Sequence, residues 1–283
     1  MNAPQILTAN IGFRGPHARY FGELPVLELP PLDHVRLGTF TRWRKEVPAE
    51  ARFVPRVPDA VALAGFVGDE AAAGWERTRA IASRLRAELV LLRTPSTFRP
   101  TAENRAAMKA FFADRAGDPF QVAWWADGLW ESQPEARDEV ADAAGLIPVV
   151  DPLALDDDEP LPAGAQFYWR LLGRLGLSGR YSDHDLYKLL ELAQGRDSGV
   201  IVFTSARMRP DALRFHGMVA AGGAELAVAG DDPFDDFEDD EGEDDDEAFD
   251  DDSFDDDSFD EDGDDDSLDD SMDDDSMDDD DES

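Results

Sequence analysis

The chain has 283 residues, 65 acidic against 26 basic, a formal net charge of −39 and no cysteine. Without thiols there is no disulfide, no thiolate metal site and no cysteine nucleophile. The length allows one large domain or two ordinary ones.

The charge is unevenly spread. Residues 231–283 hold 35 Asp and Glu and no Lys or Arg, leaving 30 acids against 26 bases in the remainder. The low isoelectric point therefore belongs to the tail, and the rest is nearly balanced. The first residues, Met1-Asn2-Ala3-Pro4-Gln5-Ile6-Leu7, form neither a basic leader nor an apolar stretch of signal length. Nowhere do ~18 apolar residues run together. These features predict a soluble cytoplasmic protein with no membrane span, and nothing in the sequence calls for a cofactor.

In chain order, a short apolar run at residues 6–11 predicts a strand, followed by a Pro/Gly-rich loop in which His17 reads as a solvated loop residue. Residues 26–29 form a second strand, 34–46 a weak helix, 52–57 a third strand, 74–87 another weak helix, and 88–93 a fourth strand. Thr101 is placed to cap a helix running to Phe112. The fifth strand, 121–125, carries Trp124 and Trp125, which alternation sends to opposite faces. Ser132 with Glu135 opens a helix with Ala136, Val140 and Ala143 on one face. Strand 146–151 and the proline-bounded loop 152–164 follow, then strand 166–171. Ser182-Asp183-His184-Asp185 resembles a capping box ahead of Leu186, Leu189, Leu190 and Ala193 at helical spacing. Strand 200–204 precedes a last helix with Pro210 in its first turn.

Eight apolar strands alternating with amphipathic helices point to a parallel sheet covered on both faces. Such a sheet closes into a barrel or stays open and doubly wound; strand number and length favour an α/β fold of the (β/α)8 TIM type. We expect this barrel to occupy residues 1–225 and a disordered Asp-rich tail residues 226–283. The tail's Asp blocks are punctuated by pairs such as Ser253-Phe254 and Ser276-Met277. It has too little contiguous apolar surface to offset the entropy of ordering. Two readings of it stand: a solubilising tail, or one that recruits a basic protein partner. Direct nucleic-acid binding is disfavoured, because phosphate contacts need a basic surface.

In this fold, function gathers at the C-terminal strand ends. Those ends are Asn10 with Gly12, Glu28, Arg56, Arg93, Trp125, Asp151, Arg170, and Thr204 with Ser205. Glu28 and Asp151 are the acid–base candidates. Arg56, Arg93 and Arg170 form a candidate clamp for a small anionic ligand, with Thr204 and Ser205 as further ligand contacts. The alternative is that these charges neutralise one another. No metal site is expected, and no HExxH, GxSxG or P-loop pattern occurs.

Several segments resemble the YecE-like family, domain of unknown function 72. Leu91-Leu92-Arg93-Thr94-Pro95-Ser96-Thr97-Phe98-Arg99-Pro100 is similar to its "LFQLPPSFRP" segment. Tyr168-Trp169-Arg170-Leu171-Leu172-Gly173 with Tyr181-Ser182-Asp183 is similar to its "YVRLHG…YSDEEL". Ile201-Val202-Phe203-Thr204-Ser205 with Pro210-Asp211-Ala212-Leu213 is similar to its "YVFFNN…PxNAL". The resemblance runs over almost the whole chain before the tail, and implies a TIM-type barrel without an established activity. The departures matter too. The family's "VEFRH" strand reads Val122-Ala123-Trp124-Trp125-Ala126, its "RLHG" histidine is Leu172, its paired asparagines are Thr204 and Ser205, and its third-strand Lys and fourth-strand Gln are Arg56 and Arg93. Glu28, Asp151, Arg170, Gly12 and Trp130 remain. Losing histidine and amide groups removes much of a mouth's proton-transfer vocabulary. Three functional readings follow: a non-catalytic small-molecule binder, a divergent enzyme for a small anionic or sugar-like substrate, or a scaffold whose tail recruits a basic protein.

Overall fold

The computed structural model describes residues 4–13, 15–156, 159–173, 180–204 and 208–222, all within one compact unit, Met1–Asp231. Ser205 and the acidic tail lie outside the described residues.

Eight strands alternate with helices as expected: β1 Gln5–Ile11, β2 Val26–Glu28, β3 Arg52–Val54, β4 Leu89–Thr94, β5 Gln121–Ala126, β6 Leu146–Val150, β7 Gln166–Leu171 and β8 Ser198–Phe203. All pair in parallel, in the order β3-β2-β1-β8-β7-β6-β5-β4. A parallel bridge between Arg56 and Leu91 joins β3 to β4 and closes the sheet on itself. Around this (β/α)8 barrel lie α1 His17–Phe21, α2 Leu37–Glu46, α3 Asp59–Leu63, α4 Gly68–Leu85, α5 Ala102–Ala113, α6 Pro134–Ala144, α7 Asp183–Ala193 and α8 Met208–Ala220.

Two prolines shape the closure. Pro55 has no N–H, so β3 ends at Val54 rather than reaching Val57 as its apolar run suggests. The Pro55 carbonyl instead accepts from the Leu91 N–H at 2.9 Å, and the Val57 N–H donates to the Leu91 carbonyl at 2.8 Å. Pro148 marks a change of partner within β6: pairing with β5 stops at Trp124–Pro148, and pairing with β7 begins at Val149–Tyr168.

Alternation along each strand produces two cores. Ala9, Val26, Val54, Leu91, Ala123, Val149, Tyr168, Val200 and Val202, from all eight strands, fill the barrel interior. Trp124, Trp169, Phe203 and their neighbours face the helices. The expected division of the tryptophan pair holds: Trp124 packs under the helices and its indole N–H donates to Thr94 Oγ1 at 3.0 Å, while Trp125 faces inward.

The helix starts divide by chemistry. Ser182 and Asp185 make the full capping box, and Thr101 Oγ1 accepts the Asn104 N–H. Ser132 does not cap α6. Its hydroxyl donates to the Leu129 carbonyl, and the helix begins instead with Pro134, whose fixed φ suits the first turn. His17 is not a solvated loop residue. It opens α1 with its ring 4.6 Å from Trp43 and 5.6 Å from Phe53, and burial there holds it below the ordinary histidine range, against an opposing pull from Glu46. Among the described residues, no helix is long and apolar enough to cross a membrane.

Candidate functional site

Advancing two residues from the interior layer brings each strand to the mouth with the same inward parity. Glu28, Arg56, Arg93, Trp125, Asp151, Arg170 and Thr204 all fall on this ring. Asn10 does not. It has the parity of the helix-facing residues, and its backbone N–H donates to the Tyr20 hydroxyl at 2.9 Å. Ser205 cannot be placed, being outside the described residues.

The ring residues share one end of the barrel but not one cavity. Glu28 is 1% exposed, and both its oxygens are engaged. Oε2 accepts the Tyr168 hydroxyl at 2.7 Å, and Oε1 accepts Arg170 Nε at 3.2 Å. Tyr168 reaches across the interior, and burial followed by the adjacent Glu28 charge pushes its phenol well above the usual tyrosine range. Its proton therefore stays on and anchors the carboxylate. Arg56 pairs with Asp59 at 2.7 Å. Arg93 holds Asp127 through Nε at 2.8 Å and a terminal nitrogen at 2.5 Å. The Thr204 hydroxyl donates to the Leu171 carbonyl at 2.6 Å. Much of the charge at the mouth is thus paired within the mouth.

Asp151 is held by backbone. Its Oδ1 accepts the Leu153 N–H at 3.0 Å and its Oδ2 the Leu172 N–H at 2.9 Å. The first bond makes an Asx-type turn as the chain leaves β6; the second ties the end of β7 to the end of β6.

Beside Asp151 the mouth opens into a hollow of about 270 Å³. It lies where β5 and β6 part after Trp124 and Pro148, and its wall takes in Trp125 and Ala126 from one strand end and Val149 and Val150 from the other. The charges around it are Arg170, Asp151, Glu131, Glu159 and Arg137. Arg170 thus belongs to both halves of the mouth: Nε is spent on Glu28, while its guanidinium lies 3.9 Å from the centre of the Trp125 ring. Arg93 approaches the same ring to 4.7 Å from β4, on the other side of β5. Burial, helped by the charge of Asp127, raises the Glu131 carboxyl above the ordinary glutamate range.

Of the residues singled out from the sequence, the hollow gathers Trp125, Asp151 and Arg170; Glu28, Arg56, Arg93 and Thr204 do not line it. Strand-tip counting missed Arg137, Glu131 and Glu159, which sit on α6 and in loops. Trp130 is structural: fully buried, it stacks with Phe98 and edges onto Trp124, joining the loops after β4 and β5.

A larger depression of about 710 Å³ lies at the opposite end, around Gln121, Leu146 and Gln166 where the strands begin. That end of this fold serves stability rather than chemistry. Among the described residues, no group of three or more His, Asp or Glu side chains is placed to hold a metal ion.

No family model matches the sequence, and no curated protein matches it. Solved structures do match in shape. A DUF72 family protein from Thermotoga maritima superposes with a TM-score of 0.61 at 16% identity, covering 76% of this chain and 99% of that one. A second from Enterococcus faecalis gives 0.59 at 18%, covering 77% and 98%. A xylose isomerase domain containing protein from Salmonella typhimurium gives 0.50 at 12%, covering 78% and 98%. At these identities the likeness is one of fold. The chain is a (β/α)8 barrel whose structural neighbours include DUF72 family proteins.

Proposed function

We propose that this chain is a divergent YecE-like barrel that binds a small anionic molecule at its mouth and has given up acid–base catalysis there. One observation carries the reading. Glu28 spends both oxygens on Tyr168 and Arg170, and Asp151 caps two backbone N–H groups, yet an open hollow walled by an arginine lies directly beside them. A general base must come within hydrogen-bond reach of the proton it takes, whereas Glu28 is sealed inside the barrel and Asp151 is anchored to backbone. Both candidate carboxylates are instead doing structural work.

The departures from the family pattern fall at the same place. Ala126 stands where the "VEFRH" histidine is expected and Leu172 where the "RLHG" histidine is expected, and both line the hollow. Leu172 is 56% exposed there, an unusual setting for a large apolar side chain. A site that has exchanged two imidazoles for Ala and Leu keeps shape and charge but loses its proton carriers.

The test is a thermal-shift screen of the full chain with sugar acids, phosphorylated sugars and nucleotides, repeated on Arg170→Lys, which keeps a charge for Glu28 but removes the planar fork. Stabilisation of the wild type that is lost in the variant supports the reading. Wild-type protein that no anion stabilises, or turnover of any probe by the wild type, contradicts it.

A second reading rests on the concentration of acidic residues after residue 230: the barrel serves as a scaffold and the tail recruits a basic protein. Capture experiments with and without residues 231–283 test it, and identical partners from the two forms would remove it.

A further inference from the structure

The strongest unused feature of the molecule is a buried arginine outside the strand ends. Arg137, on α6, is 5% exposed. Its only hydrogen bond among the described residues runs from Nε to Asp138 at 2.8 Å. Among the described residues its terminal nitrogens make no hydrogen bond and are not sealed from solvent, and the residue lines the hollow between β5 and β6. Arg170, also in the wall, is in the same condition: Nε is held by Glu28, and among the described residues its terminal nitrogens make no hydrogen bond and are not sealed from solvent. Two guanidinium groups, each fixed through Nε and each with its outer edge unused, therefore face one small space. A guanidinium held in this way is pre-organised to donate paired N–H bonds to an oxyanion.

The rest of the wall narrows the chemistry. Glu131 and Glu159 border the hollow with no hydrogen bond to their carboxylates among the described residues, and carboxylates accept readily from hydroxyl groups. The volume of about 270 Å³ lies near the lower end of the roughly 300–1,000 Å³ of ordinary ligand pockets, which suits a small molecule such as a monosaccharide. Counting Asp151, the lining side chains carry three acids to two bases, so the hollow does not attract anions by net charge. Selectivity has to come from the two forks.

We propose that Arg137 and Arg170 form a two-arginine site for the oxyanion group, carboxylate or phosphate, of a small polyhydroxylated acid, with Glu131 and Glu159 accepting from its hydroxyls. This rests on the mouth being a ligand site and adds its second anchor, its position in the β5–β6 gap and the class of molecule it takes. Pro148 underlies the site: the ladder with β5 ends at this residue, leaving the opening into which Arg137 reaches from the helix layer.

The experiment is calorimetric titration of the full chain with D-gluconate, D-glucose 6-phosphate, D-glucose and D-glucosamine, on wild type, Arg137→Gln, Arg137→Lys and Arg93→Gln. We expect the wild type to bind gluconate or glucose 6-phosphate and not glucose, the preferred acid telling carboxylate from phosphate. Arg137→Gln should weaken that binding at least tenfold, or about 1.4 kcal/mol. Arg137→Lys, which keeps charge without the fork, should lose part of it and serves as the readout if the glutamine variant does not fold. Arg93→Gln should remain within twofold. Wild-type affinity retained in both Arg137 variants overturns the Arg137 site and leaves the mouth reading standing. No binding of either acid to the wild type overturns both. Binding of glucosamine in preference to the acids assigns the hollow to cations and overturns the proposal.

Discussion

The two halves of the barrel mouth are built from similar residue types and end up in opposite conditions. On the β7–β8–β1–β2 side, Tyr168, Glu28 and Arg170 Nε form a buried network, and Thr204 turns its hydroxyl back onto the Leu171 carbonyl. On the β5–β6 side, the strands part and the outer edges of Arg170 and Arg137 face a hollow. The difference comes from the backbone. Continuous pairing from β7 through β8 to β1 brings side chains close enough to satisfy one another, whereas the break in pairing at Pro148 leaves space between them. A charged residue at a strand tip is therefore not in itself a site; what matters is whether neighbouring strands stay paired as far as that residue.

The sharpest way to break this contrast is at Glu28. Replacing it with Ala leaves Arg170 buried without its counter-charge and Tyr168 without an acceptor. Removing one partner of a buried pair costs about 3–5 kcal/mol, which urea unfolding should show. A stable Glu28→Ala protein would mean the network is dispensable. Asp151→Ala should cost less, about 1–3 kcal/mol for two backbone donors that lose their acceptor, measured in the same way. Arg93→Gln should cost less again, under ~1 kcal/mol, because its ion pair with Asp127 is more than a third exposed on the arginine side. The smallest effect concerns His17. Burial lowers its folded-state pKa, so the neutral ring's contribution is present above the unfolded value of about 6.5 and is lost as pH falls through the folded value. Stability should therefore decline from about pH 7 to about pH 5 more steeply than in His17→Gln. Parallel profiles would show that the ring is not buried in solution.

Much of this architecture was legible in the sequence. The apolar runs located all eight strands, and reading off their C-terminal ends picked out Glu28, Arg56, Arg93, Trp125, Asp151, Arg170 and Thr204, which share one ring, together with Asn10, which does not. What escaped were features set by contact rather than pattern. The helices α1 and α3 are five residues each, too short for a 3.6-residue period to show. Whether an arginine pairs locally was half visible: Asp59 follows Arg56 by three residues, but Asp127 reaches Arg93 from the adjacent strand. Arg137 was hidden because helix α6 displays it as one more polar residue. Only the parting of β5 and β6 gives its guanidinium somewhere to point.

The account is tested most directly by NMR of the arginine Nε–H signals during titration with D-gluconate or D-glucose 6-phosphate. It predicts that the Arg170 signal moves saturably with at least one of these probes while that of Arg56, which does not line the hollow, stays in place. An Arg170 signal that responds to neither probe would contradict it.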